Sequence, residues 1–121
     1  MDIPKDLVAA SSSPLVLAIL KEGDSYGYGI LQRVRELSDG SLEWTDGLLY
    51  PLLHRLEAAG QIAGYWGSAP TGRRRKYYRL TPEGAEALAA HQSQWRAVAD
   101  TLAAAWKTMG VTTTRIVGSS A

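Results

Sequence analysis

Residues 62–84 read Ile-Ala-Gly-Tyr-Trp-Gly-Ser-Ala-Pro-Thr-Gly-Arg-Arg-Arg-Lys-Tyr-Tyr-Arg-Leu-Thr-Pro-Glu-Gly. Two strand-prone segments, residues 62–66 and 74–80, flank turn chemistry at 67–72. This spacing predicts a hairpin with a flexible tip and a basic second strand. Strand alternation sends Tyr78 and Leu80 to one face and Tyr77 and Arg79 to the other. Thr81-Pro82-Glu83 then marks a helix start. It supplies a hydroxyl cap, a proline where its missing donor costs nothing, and an acid near the positive end of the helix dipole.

Downstream, the helix is expected to run to about Thr108. Leu88, Trp95, Leu102 and Met109 recur every seven residues, and His91, Val98 and Ala105 fall three later in each heptad. That is a coiled-coil-like seam. Such a helix spans roughly 40 Å, too long for so small a core to cover. Part of the seam therefore belongs against a second subunit. The expected dimer-interface residues are Leu88, His91, Trp95, Leu102 and Trp106.

Upstream, three helices are expected. The first covers residues 5–21, with a break or a loose arm caused by Pro14. The second starts at Ser25 as N-cap and stops at Asp39-Gly40. Gly27 and Gly29 near its start suggest close approach of another backbone or of a phosphate. The third runs from Asp46 to about Ala59, capped by Thr45 and ended by Gly60. Leu49, Leu52, Leu53 and Leu56 share one face of it; Gly47, Pro51, His54 and Ala58 lie opposite, with Tyr50 and Arg55 on the flanks. Pro51 suggests a bend or a late start. The order is helix, helix, helix, hairpin, long helix. It defines a mainly α fold with a small β-hairpin, a winged helix-turn-helix plus a long C-terminal dimerisation helix. The expected divisions are residues 1–81 for the winged domain, 82–109 for the dimerisation helix and 110–121 for a flexible tail.

Composition narrows the function. The chain has 121 residues, no cysteine and two histidines, which excludes a Cys/His zinc site. An apolar fraction of 45% and a charged fraction of 21% are those of a soluble globular protein. No apolar run approaches the ~20 residues of a membrane span, and Met-Asp-Ile-Pro-Lys has no signal pattern. A cytoplasmic protein with no membrane partner is expected. The net charge is only +1, but five of the thirteen basic residues lie between Thr71 and Arg79, where there is no acid. The rest of the chain sums to −4. A mildly acidic body with one basic segment is an electrostatic footprint. Acids are scattered rather than paired, and no phosphate loop or Ser-His-Asp arrangement is indicated, so neither catalysis nor a cofactor is expected.

Several motifs occur together: Tyr26-Gly27-Tyr28-Gly29-Ile30, Leu49-Tyr50-Pro51-Leu52-Leu53, Arg55-Leu56-Glu57 with Gly60, Gly72-Arg73-Arg74-Arg75-Lys76-Tyr77-Tyr78, and Leu80-Thr81-Pro82-Glu83-Gly84. As a set they resemble the PadR family of bacterial transcriptional regulators, over about residues 3–106. The short C-terminal part with Trp95 is similar to the multidrug-responsive LmrR type within that family. The resemblance implies a homodimer on a partly palindromic operator, with the third helix in the major groove and the wing on the minor groove or backbone. It also implies that Trp95 pairs with its symmetry mate around a flat pore that stacks planar aromatic molecules. The pore helices here are rich in alanine, and Ala99 stands where that type carries an acid.

The candidate DNA contacts are Lys5, Tyr26, Thr45, Gly47, Tyr50, His54, Arg73, Arg74, Arg75 and Lys76. Wing cations neutralise phosphates and release counterions; the plain alternative is a charged edge strand guarded against aggregation. The N-terminal amides beside Thr45 suit a phosphate, Gly47 permits close approach, and Tyr50 and His54 offer polar groups to backbone or base. Alternatively Tyr50 packs on the wing and His54 is merely solvated. Arg79 is a candidate for pairing with a carboxylate of its own domain. Trp95, Val98, Ala99 and Leu15 are the candidate ligand contacts, against the plain reading that an indole on a heptad seam is interface core. Three readings follow. The first is a repressor of double-stranded DNA released by a planar aromatic ligand. The second is a DNA-binding regulator with no small ligand. The third is a winged adaptor whose wing binds an acidic protein.

Overall fold

A computed structural model describes residues 2–110 of the chain. The elements are α1 (Lys5–Glu22), β1 (Ser25–Tyr26), α2 (Gly27–Leu37), α3 (Asp46–Ala58), β2 (Ile62–Ser68), β3 (Arg74–Leu80) and α4 (Pro82–Thr108). The expected tail lies, from residue 111, outside the described residues. The architecture is the predicted one, mainly helical with a small antiparallel sheet and a long last helix.

Three local expectations need correction. First, α1 runs through Pro14 as a single element. Before the ring, the Ser11 and Ser12 hydroxyls donate to the carbonyls of Leu7 and Ala9, each at 2.8 Å. After it, Val16, Leu17, Ile19 and Leu20 are buried in the core. Anchoring on both sides offsets the lost backbone bond, whose local cost is about 3 kcal/mol. Second, Ser25 does not cap α2. It forms β1 with Tyr26 and pairs with β3, in register Ser25↔Tyr78 and Tyr26↔Tyr77. The wing is therefore a three-stranded sheet of order β1-β3-β2. Third, Pro51 does not delay α3, which starts at Asp46 as its cap predicts, with the Thr45 hydroxyl accepting the Leu48 N–H.

The hairpin tip is also more regular than expected. The ladder extends to Ser68↔Arg74. Beyond it the Ala69 N–H donates to the Arg73 carbonyl and the Gly72 N–H to the Ala69 carbonyl, both at 2.8 Å. Gly72 has φ +89°, the left-handed position that closes such a loop at little cost only for glycine. The tip is a hydrogen-bonded turn, so the basic residues are carried on a defined ribbon.

The core joins α1, Ile30 and Val34 of α2, the four predicted leucines of α3, Ile62, Tyr78 and Leu88. Full burial of each large aliphatic contributes roughly 1.5–3 kcal/mol. Thr81 fixes the start of α4: its hydroxyl donates to the Gly60 carbonyl at 2.6 Å and accepts the Gly84 N–H at 3.0 Å. The chain divides into two compact units, one up to Leu88 and one from Ala89. The division falls inside α4. Leu88, expected on the subunit seam, is 2% exposed and packs in the core of its own unit. Its position at the end of the second turn puts it on the winged domain instead.

Candidate nucleic-acid interface

β1 ends after two residues because the chain turns into α2 at Gly27. β3 therefore extends past its β1 partner, and its residues from Lys76 back to Arg74 border a cleft. That cleft has a volume of about 530 Å³. Arg73, Arg74, Arg75 and Lys76 form its wing side; Tyr26, Gly27 and Tyr28 form the start of α2; Tyr50 and His54 come from the outward face of α3. Tyr78, Ala69 and Thr71 complete it. Among the described residues no carboxylate lines it.

Seven of the ten candidate DNA contacts thus converge on one surface. Tyr50 is exposed, and its hydroxyl rests where a side chain at position 27 would stand. Gly27 is glycine so that α3 can reach across the start of α2. Gly29 likewise leaves room for the Ser25 and Tyr26 side chains. The close approach suggested by these glycines is made by side chains of the same domain. Lys5, Thr45 and Gly47 are exposed but do not line the cleft; Thr45 and Gly47 sit at the N-terminus of α3 and Lys5 at that of α1. Tyr28 and Thr71 line the cleft and were not among the candidates. Tyr28 carried a signal, an aromatic beside two glycines; Thr71 carried none.

The wing cations are not equivalent. Lys76 Nζ lies 3.5 Å from Glu57 Oε1, and Glu57 Oε2 accepts the Gly64 N–H at 3.2 Å. Of the described wing cations it is Lys76, and not Arg79, that pairs with a carboxylate of the domain. The Arg74 guanidinium lies 5.0 Å from the Trp66 ring centre, and Arg75 lies 3.8 Å from that of Tyr26. Two tyrosines in the sheet hold their protons more firmly than usual. The Tyr65 hydroxyl donates to Asp24 Oδ2 at 2.6 Å, and the carboxylate resists its ionisation. Burial pushes the Tyr78 hydroxyl up.

The second unit presents other candidates on α4. Val98 is 52% exposed, Leu102 is exposed as well, and Met109, just past the helix, reaches 75%. His91, Trp95 and Trp106 are half-buried, whereas Ala99 is 6% exposed. A shallow apolar hollow of about 280 Å³ lies along Ala97, Val98, Thr101 and Leu102. Leu15 is half-buried on α1, packed against the core of the first unit. Among the described residues no cluster of acids and histidines is arranged to hold a metal, and no helix is long and apolar enough to cross a membrane.

A three-helix body, a short β1, a basic ribbon and a long terminal helix define a winged-helix protein of the transcription-regulator class. The description "Transcriptional regulator PadR-like family" matches residues 16–90, and the chain belongs to that family. It is a transcriptional regulator and not an enzyme. A transcriptional regulator from Clostridium thermocellum has a similar structure, with a TM-score of 0.74 and 33% identity, covering 81% of this chain and 95% of that one. A PadR family transcription regulator from hypervirulent Clostridium difficile matches with a TM-score of 0.68 and 34% identity, over 76% of this chain and 94% of that one. A transcriptional regulator of Mycobacterium tuberculosis is 44% identical over 54 residues, 45% of this chain and 50% of that relative.

Proposed function

We propose that this regulator is a homodimeric repressor that binds a double-stranded operator through the cleft between α3 and the wing. The observation that carries the reading is the acid-free cleft itself, where four cations face the outward side of α3. Phosphates would meet Arg73, Arg74 and Arg75, while His54 and the start of α3 face the groove. Lys5, Thr45 and Gly47 extend the footprint beyond the cleft. Exposed Val98 and Leu102 support assembly through α4. A planar aromatic ligand would enter beside Trp95 and shift the dimer toward a spacing of recognition helices that misfits the operator. It shifts that balance only by its differential affinity for the two geometries.

The small exposure of Ala99 favours a second reading, in which α4 only assembles the dimer and no ligand acts there. Footprinting on DNA upstream of the protein's own gene, beside scrambled duplex and over a salt series, tests the main reading. A protected two-fold site that outcompetes scrambled DNA is expected. Arg74→Ala should weaken binding on all sequences and lower the salt slope by about 1 for each phosphate left without its cation. Equal, salt-labile binding to both duplexes would leave the wing a charged edge and favour a protein partner. Titration of planar aromatics separates the ligand readings: quenched tryptophan emission together with operator release supports the first, and neither effect supports the second.

A further inference from the structure

The three consecutive arginines of the wing are held in three different ways. Arg73 lies before β3, within the closing turn. Arg74 faces Trp66, an indole that is itself 60% exposed. Arg75 is half-buried, 3.8 Å from the Tyr26 ring centre and 5.6 Å from that of Tyr77. Those two rings belong to a row. The register aligns Tyr26 of β1, Tyr77 of β3 and Tyr65 of β2 across the sheet. Tyr77 meets Tyr26 edge-on at 5.8 Å and stacks on Tyr65 at 5.7 Å. Tyr65 is tied to Asp24, just before β1, by its hydroxyl. The platform under Arg75 is therefore tied at its Tyr65 end to the residue two before Tyr26.

We propose that Tyr26, backed by Tyr77, is a positioning residue: its ring presets Arg75 for a phosphate of the bound duplex. This inference rests on the DNA-binding reading above. A guanidinium lying on a ring keeps its donors in the plane of the fork, directed outward, where a phosphate accepts them. An unrestrained arginine loses rotamer freedom on binding; a stacked one has lost it already. The role assigned to Tyr26 is thus carried by its ring and not by its hydroxyl.

The test is anisotropy with the full chain on the footprinted operator, comparing wild type, Tyr26→Phe, Tyr26→Leu, Arg75→Lys, Arg75→Ala and the Tyr26→Leu/Arg75→Ala double variant. Tyr26→Phe keeps the ring and should lose less affinity than Tyr26→Leu. Tyr26→Leu should weaken binding about two- to fivefold per wing, the range of an exposed cation–π contact, and should add nothing to Arg75→Ala. Equal losses for Tyr26→Phe and Tyr26→Leu would overturn the proposal in favour of a hydroxyl contact. Additive losses in the double variant would overturn it too. Arg75→Lys keeps the charge and leaves the sheet intact, so it reports even where Tyr26→Leu unfolds. It should cost as much as Tyr26→Leu; a lysine that binds like arginine sinks the idea. NMR relaxation of the Arg75 Nε–H in the DNA-free protein separates this inference from its premise. A rigid signal in wild type and Tyr26→Phe supports the positioning even if no operator is found, whereas a wild-type signal as mobile as that of a solvated arginine overturns it.

Discussion

The chain up to Leu88 encloses an apolar core, whereas the helix beyond it leaves large apolar side chains without one. In the first, Leu17, Ile30, Leu49 and Leu53 are wholly removed from solvent. In the second, Val98 and Leu102 remain exposed on the same helix whose early turn buries Leu88, and Met109 is exposed just past its end. The winged unit closes its own core. The distal half of α4 has the apolar surface of an element still to be covered, which is why a second copy is proposed there.

The largest effect that tests this contrast is Leu53→Ala. Removing a fully buried leucine should lower the unfolding free energy by about 2–5 kcal/mol, read as a lower urea midpoint. Leu102→Asp should leave the winged unit folded by circular dichroism. It should instead weaken self-association about tenfold or more, since a charge buried at an interface without a partner is costly; sedimentation equilibrium reads that change. If Leu102→Asp lowered the urea midpoint of the wing as Leu53→Ala should, the two regions would not be distinct.

A smaller effect falls at the start of α4, still within the first region. Thr81 bridges the Gly60 carbonyl and the first turn of α4 with a single hydroxyl. Thr81→Ala should cost about 0.5–2 kcal/mol, as loss of an N-cap does, and Thr81→Ser should restore most of it in a thermal melt. A melt unchanged by Thr81→Ala would mean that packing alone fixes where α4 begins.

The same contrast explains what was legible in the sequence. Helical periodicity marked the buried face of α3, and turn and cap chemistry marked the wing and the start of α4, because those signals are local. β1 was not legible: two residues carry no alternation, and Ser25 has the side chain of a cap. Its pairing with Tyr77 and Tyr78 is set by tertiary contact, some fifty residues along the chain. Pro14 misled for a related reason, since core burial after the ring overrides a local propensity. In the site, the charge cluster was visible as composition. The division of labour within it was not, because Glu57, Trp66 and Tyr26 reach Lys76, Arg74 and Arg75 only through the folded sheet. Leu88 kept its heptad position, yet the heptad says nothing of which neighbour covers each turn.

The smallest effect is seen only in alkali, and it too divides the molecule. All six tyrosines lie at or before residue 78, so α4 carries none. Tyr65 and Tyr78 have raised pKa values, the first through its bond to Asp24 and the second through burial. A raised phenol favours the folded state while it stays neutral. That contribution is fully present below the unfolded value of about 10 and is lost as pH rises through the higher folded value. The winged unit should therefore loosen above pH 10 as these two phenols are forced to ionise. Absorbance titration at 295 nm should show late-ionising components that Tyr65→Phe and Tyr78→Phe each reduce. Unfolding that begins at the same alkaline pH in the Tyr65→Phe/Tyr78→Phe double variant would mean that another group sets it. The hydrogen bond to Asp24 would then contribute to the geometry of the aromatic row without contributing to its pH dependence.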